Sequence, residues 1–148
     1  MLPVIEYTKT EFIKQLDSAN KLNAIEELAL VFKDADVCGD IDSLISALKE
    51  REDIMSTGIG FGVAIPHTKI NTIKEMAFAI GISRAGIDFG STDGKLVHLI
   101  ILVAAGEKQH NEYLRLLSNI MGIVIKDTVK ESIINAPSSE EVLNILQS

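Results

Sequence analysis

Between Ser56 and His67 the chain reads Ser-Thr-Gly-Ile-Gly-Phe-Gly-Val-Ala-Ile-Pro-His. Gly58, Gly60 and Gly62 free the backbone to bend and to bring bare N–H groups against an anion. At least one of them is expected at positive φ, where a Cβ costs about 1 kcal/mol or more. Val63-Ala64-Ile65 then reads as a buried strand, and Pro66 holds Ile65 extended and fixes the exit from that strand. His67 stands at the exit. Imidazole has a reference pKa of about 6.5, so near neutral pH it offers an uncharged nitrogen lone pair that can attack phosphorus. A phosphorylated ring nitrogen remains a good leaving group, whereas a serine ester would not. A histidine beside an anion-cradling loop therefore suits a phosphohistidine carrier.

Other residues can support that chemistry. Arg51 closes a helix just before the loop, and a guanidinium grips two phosphoryl oxygens in a planar fork. Taken alone it equally reads as a helix-end charge favoured by the dipole. His110 follows an apolar strand and opens a helix, a position that favours anions. Thr57 and Ser56 offer hydroxyls at the loop entrance, where turn chemistry alone also favours them. His98 lies among strand residues and reads as a satisfied histidine of the sheet. Glu52, Lys69 and Glu107 read as surface charges.

Several chemistries find no support. The three histidines match no metal-ligand spacing, and the lone cysteine, Cys38, sits apart from them. Cys38 has no CxxC partner and reads as a small buried residue. There is no Gly-Lys-Ser/Thr phosphate loop and no Gly-x-Ser-x-Gly elbow. A net charge of −7 and 5% aromatic content argue against a nucleic-acid partner.

Thr57-Gly58-Ile59-Gly60 running on to Ala64-Ile65-Pro66-His67 resembles the active-site signature of enzyme IIA of the bacterial sugar phosphotransferase system. The match is to the fructose/mannitol class, which also holds nitrogen-regulatory paralogues. Arg51-Glu52, the strand Val97 to Ala105 and His110 extend the resemblance over nearly the whole chain. It implies an α/β fold with a mixed sheet, phospho-HPr as donor, Nε2 of His67 as acceptor, and a cysteine of enzyme IIB as the next acceptor. It further implies that His110 and Arg51 touch the phosphoryl group and that the transfer needs no metal or organic cofactor; Thr57 matches a family position, and the loop reading sets Thr57, Gly58, Gly60 and Gly62 around the phosphate. Contact with a membrane IIC complex would run through IIB. A regulatory IIA, whose output is phosphorylation-dependent protein binding, fits the same residues. A structural α/β module without phosphotransfer is the bland alternative.

These residues need elements to hold them. Asn20 is placed to cap a helix through about Lys33, and Asp40 to cap a second from Ile41 to about Glu52, burying Ile41, Leu44, Ile45 and Leu48. Thr8 to Asp17 reads as a short helical segment. Val63 to Pro66, Met76 to Ile82 and Leu96 to Ala105 read as strands, and Arg84 to Gly90 as a short edge strand that permits a dimer without requiring one. From His110 the spacing predicts a helix burying Tyr113, Leu114, Leu117, Ile120 and Met121. Val129 to Ile134 forms another, and Ser138 or Ser139 caps the last, which turns Val142, Leu143 and Leu146 inward.

Helices thus flank a block of strands, which implies a three-layer α/β sandwich around a central mixed β-sheet. The 148 residues suit one domain spanning 1–148 with a real core. The longest apolar runs are too short to cross a bilayer, the first residues lack a signal-peptide pattern, and a single cysteine suits a reducing compartment. Together they predict a cytoplasmic protein.

Overall fold

The computed structural model describes residues 3–147. Its hub is an antiparallel pair of long strands, β5 (Ala77–Ile87) and β6 (Val97–Ala105), with Ile80 opposite Ile101. Both are nearly continuous apolar runs, as expected of strands covered on two faces. Three short strands precede them along the other flank of β6: β2 (Gly58–Gly60), β3 (Val63–Ala64) and β4 (His67–Lys69). β3 and β4 both run parallel to β6, and β2 pairs antiparallel with β3. On the far side of β5 lies β1 (Ile13–Gln15), also parallel. The six strands make one mixed sheet.

Helices cover both faces. α1 (Lys21–Ala29) begins at Asn20, whose side chain accepts from the Asn23 N–H at 2.9 Å, and passes into a 3-10 turn at Leu30–Phe32. α2 (Ile41–Ile54) begins at Asp40, whose carboxylate accepts from the Ser43 N–H at 3.2 Å and the Ser43 hydroxyl at 2.8 Å. Both caps stand where the sequence places them. α1 and α2 bury Ile25, Leu28, Phe32, Leu44 and Leu48 with Ala77, Ala79, Ile100 and Leu102 of the sheet. The opposite face carries α3 (His110–Val124), α4 (Asp127–Ile134) and α5 (Ser139–Gln147). They bury Tyr113, Leu116, Ile120, Ile133 and Val142 with Phe78, Ile80, Leu99, Ile101 and Val103. The expected layering is thus observed.

Four local expectations are corrected. Thr8 to Asp17 is not a helix: a 3-10 turn at Thr10–Phe12 drops Phe12 edge-on against Phe32, 4.8 Å between centroids, and the chain continues as β1 along the free edge of β5. Arg84 to Ile87 is not a separate strand but the end of β5, reached through an irregularity between Ile82 and Ile87 with Gly86 at φ +86°. α3 is rotated from the expected stripe. Tyr113, Leu116, Ile120 and Val124 are buried, while Leu114 and Met121 are 50% and 42% exposed. Cys38 is half-buried rather than buried.

Candidate active site at the carboxyl ends of the parallel strands

His67 begins β4, which extends the β3 ladder along β6 in the same register: Ala64 faces Ile100 and His67 faces Val103. Ile65 and Pro66 lie between the two segments. Because proline has no N–H, Pro66 contributes only its carbonyl, which accepts from the Val103 N–H at 2.9 Å. The half-buried His67 folds back so that Nδ1 lies 2.6 Å from the Ile65 carbonyl oxygen. A carbonyl only accepts, so Nδ1 carries the hydrogen and Nε2 keeps its lone pair. The ring is thereby held in the tautomer that leaves the Nε2 lone pair free.

The carbonyl that does this is itself anchored. The Ile65 N–H donates to the Thr57 carbonyl at 3.0 Å. The Thr57 N–H and hydroxyl donate to the two carboxylate oxygens of Glu52, at 2.9 and 2.6 Å. Lys21 of α1 lies 3.5 Å from the same carboxylate. Glu52 is 2% exposed, so the expectation of a surface charge is overturned. Its last-turn position made it look solvated, and only the tertiary approach of Lys21 and Thr57 supplies partners for a buried carboxylate. Thr57 spends its N–H and hydroxyl hydrogens on Glu52, and Ser56 Oγ accepts from the Gly58 N–H at 3.0 Å.

Tyr113, on the first turn of α3, packs beside His67 with ring centroids 6.2 Å apart and planes tilted by 53°. Burial pushes the Tyr113 hydroxyl up to about 12, opposed by the nearby Arg51 guanidinium. Arg51, in the last turn of α2, also donates to the Met55 carbonyl at 2.9 Å. His110 opens α3 and is exposed. Its Nδ1 lies 2.7 Å from the Lys69 ammonium, so that nitrogen accepts and Nε2–H remains free to donate. Lys69 is two residues beyond His67 on β4 and shares its side of the strand. Tyr113 thus packs on His67 within electrostatic reach of Arg51, and Lys69, on the His67 side of β4, pairs with His110. Sequence spacing did not identify Tyr113, because on the helix it reads as core.

The glycines are elsewhere. Gly60 and Gly62 have φ of +90° and +78°, as expected of at least one of them, and they flank Phe61 at φ +61° in the turn from β2 to β3. The Phe61 N–H donates to Asp93, and the Gly62 carbonyl accepts from both His98 and Leu99. This turn lies at the amino ends of β3 and β6. Val63 faces Leu99 whereas His67 faces Val103, a separation of roughly 13 Å at ~3.3 Å per residue. The expected cradle of Gly60 and Gly62 N–H groups is therefore not assembled at His67; the glycines build the hairpin that carries the strand to it. Gly58 is buried, and a Cβ there would lie 2.3 Å from Ser91 Oγ. His98 also sits at the remote end, with Nδ1 2.9 Å from the Ser83 carbonyl, a satisfied sheet histidine. Among the described residues no three His, Cys, Asp or Glu side chains converge as a metal site, and no helix is long and apolar enough to cross a membrane.

The comparisons agree with this architecture. A Haloferax volcanii fructose-specific EIIA component of a PTS is 36% identical over 131 residues, covering 86% of this chain and 83% of the relative. A Bacillus subtilis fructose-specific EIIABC component is 32% identical over 139 residues; they are 94% of this chain but 22% of that protein, so the chain spans about a fifth of its length. The crystal structure of the nitrogen regulatory protein IIA-Ntr from Neisseria meningitidis superposes with a TM-score of 0.89 at 30% identity, covering 97% of this chain and 98% of the other. Residues 6–148 match the family model for EIIA 2 of the phosphoenolpyruvate-dependent sugar phosphotransferase system, and the chain belongs to that family.

Proposed function

We propose that this chain is a phosphoryl carrier in which Nε2 of His67 accepts a phosphoryl group from phosphorylated HPr and passes it to a cysteine of an enzyme IIB. The observation that carries this reading is the 2.6 Å contact from His67 Nδ1 to the Ile65 carbonyl, which leaves Nε2 as the nucleophilic nitrogen. In each transfer a P–N or P–S bond forms as the bond to the previous carrier breaks, and the electron pair returns to that carrier. Nδ1 keeps its proton against Ile65, and the carbonyl offsets part of the positive charge that develops on the ring. Arg51, His110 and Lys69 bring donors to the phosphoryl oxygens. Catalysis is then positioning plus electrostatic stabilisation of a group in flight between two nucleophiles. Thr57 acts through Glu52 and Ile65 as an anchor of the acceptor. We place the carrier in the cytoplasm as one domain.

The test is incubation with phosphoenolpyruvate, enzyme I and HPr. The parent protein takes up one acid-labile phosphate, and His67→Ala takes up none. Labelling of His67→Ala at the parental rate would end the assignment. The 0.89 TM-score to a nitrogen regulatory protein favours a second reading, a signalling protein with the same acceptor. Transfer from the labelled protein to sugar-specific IIB domains separates the two: the carrier delivers to at least one, and the regulator to none.

A further inference from the structure

We infer that the Tyr113 hydroxyl is a hydrogen-bond donor to the phosphoryl group on His67, so that a neutral phenol shares the stabilisation expected of Arg51 and His110. The inference rests on the carrier reading above and adds a residue to it.

Three observations lead there. Tyr113 is the aromatic side chain packed beside the acceptor ring, at 6.2 Å between centroids. His110 has its Nδ1 engaged by Lys69 at 2.7 Å and stands exposed at the helix start. Finally, Tyr113 is 7% exposed, yet its hydroxyl has no hydrogen-bond partner among the described residues. Buried tyrosines ordinarily find one. Among the described residues the sealed, unpartnered side-chain oxygens are those of Thr8, Thr72 and Ser91, so the Tyr113 oxygen is not closed off from the surface. A phenol held by a ring packed on the His67 imidazole, with its oxygen reaching the surface and no described residue as partner, suits a group that arrives with the reaction.

The chemistry follows from the phenol. Burial keeps it protonated far above neutral pH, against a smaller opposing pull from the Arg51 charge, so it donates a hydrogen bond without giving up its proton. It gives a hydrogen bond to a phosphoryl oxygen and no proton: the P–N bond forms at His67 Nε2, the bond to the donor breaks, and the Tyr113 O–H is intact before and after. The residue therefore assists transfer in both directions without adding a titration of its own between pH 6 and 9.

The experiment uses two phosphoryl sources. Inorganic phosphoramidate phosphorylates histidine chemically and needs no protein partner, so it tests Tyr113 apart from the carrier reading; phospho-HPr tests both. Tyr113→Phe keeps the ring and is expected to remain folded. Its His67 is labelled roughly 10- to 100-fold more slowly from either source, and the 31P resonance of the phosphohistidine shifts. Tyr113→His, which restores a donor, recovers most of the loss and covers the case in which the Phe variant packs poorly. Phosphoramidate labelling of Tyr113→Phe within twofold of the parent, with an unchanged 31P resonance, overturns the inference. A slowed phosphoramidate reaction in a protein that phospho-HPr never labels would keep the donor and end the carrier reading.

Discussion

Glu52 decides how firmly His67 is held. Its carboxylate accepts the Thr57 N–H and hydroxyl in a buried site, and Thr57 in turn binds the strand whose Ile65 carbonyl orients the imidazole. Removing a buried charged acceptor strands two donors and the Lys21 ammonium. Glu52→Ala is expected to cost about 2–4 kcal/mol. That lowers the melting temperature by roughly 5–12 °C for a chain of this size. Labelling of His67 should also slow, because the ring loses its fixed tautomer, and the slowing should persist well below the melting transition. A variant as stable as the parent, with parental labelling, would show that Thr57 needs no such anchor. At this scale the local string that singles out His67 was legible in the sequence, and the buried partners around it were not. His67 announces itself through a local string ending in Ile-Pro-His. Glu52 and Tyr113 find their partners among residues distant in the chain, and each alone resembles an ordinary helix-end charge or core aromatic.

Elements, rather than residues, explain what the glycines and α3 do. The turn holding Gly60 and Gly62 is joined to Asp93 and to the start of β6, far from His67. Gly60→Val forces a β-branched residue to φ +90°, with Asp93 Oδ2 3.3 Å from the new Cβ. A melting temperature several degrees lower is expected, for a strain on the order of 1–2 kcal/mol, with the labelling rate within twofold of the parent. Complete loss of labelling in a folded Gly60→Val protein would put the turn back at the site. α3 gives a second contrast. Leu116 is fully buried and Leu114 half exposed, so Leu116→Ala should cost about 2–5 kcal/mol and Leu114→Ala about 0.5 or less. Chemical denaturation of the pair measures which face of the helix is inward. The helical period was legible, but with Leu114, Leu116 and Leu117 within four residues, apolar residues occupy both candidate faces, and only packing on Val103 and Ile101 selects one. The caps at Asn20 and Asp40 were legible because they are local. β1, β2 and β4, three residues each and largely polar or glycine, exist only because β5, β3 and β6 offer them free edges.

Across the whole molecule, one sheet separates two cores, and the site lies where the second core reaches the surface. The layering was legible because β5 and β6 are apolar on both faces, which demands helices above and below. Strand order was not, since short strands leave no periodic trace. Tyr113 belongs to the second core and packs against His67, so its ionisation reports on both. Its folded-state pKa is about 12 against 10.0 for an exposed tyrosine, raised by burial. A group whose pKa is raised on folding stabilises fully below its unfolded pKa and loses that contribution as pH climbs through the folded value. In the unfolded chain Tyr113 releases its proton near pH 10, while the folded protein must hold it until about pH 12, so stability falls across that window. The loss amounts to on the order of 2 kcal/mol at the top of the window. Tyr7, which hydrogen-bonds to Glu112 at 3.3 Å and is raised by its partial burial and that carboxylate, acts in the same direction and serves as the control. Denaturation midpoints at pH 9, 10 and 11 should fall more steeply for the parent and for Tyr7→Phe than for Tyr113→Phe. If removing the Tyr113 hydroxyl leaves the alkaline slope unchanged, that hydroxyl is solvated in the folded protein, and the site beside His67 is more open than its packing shows.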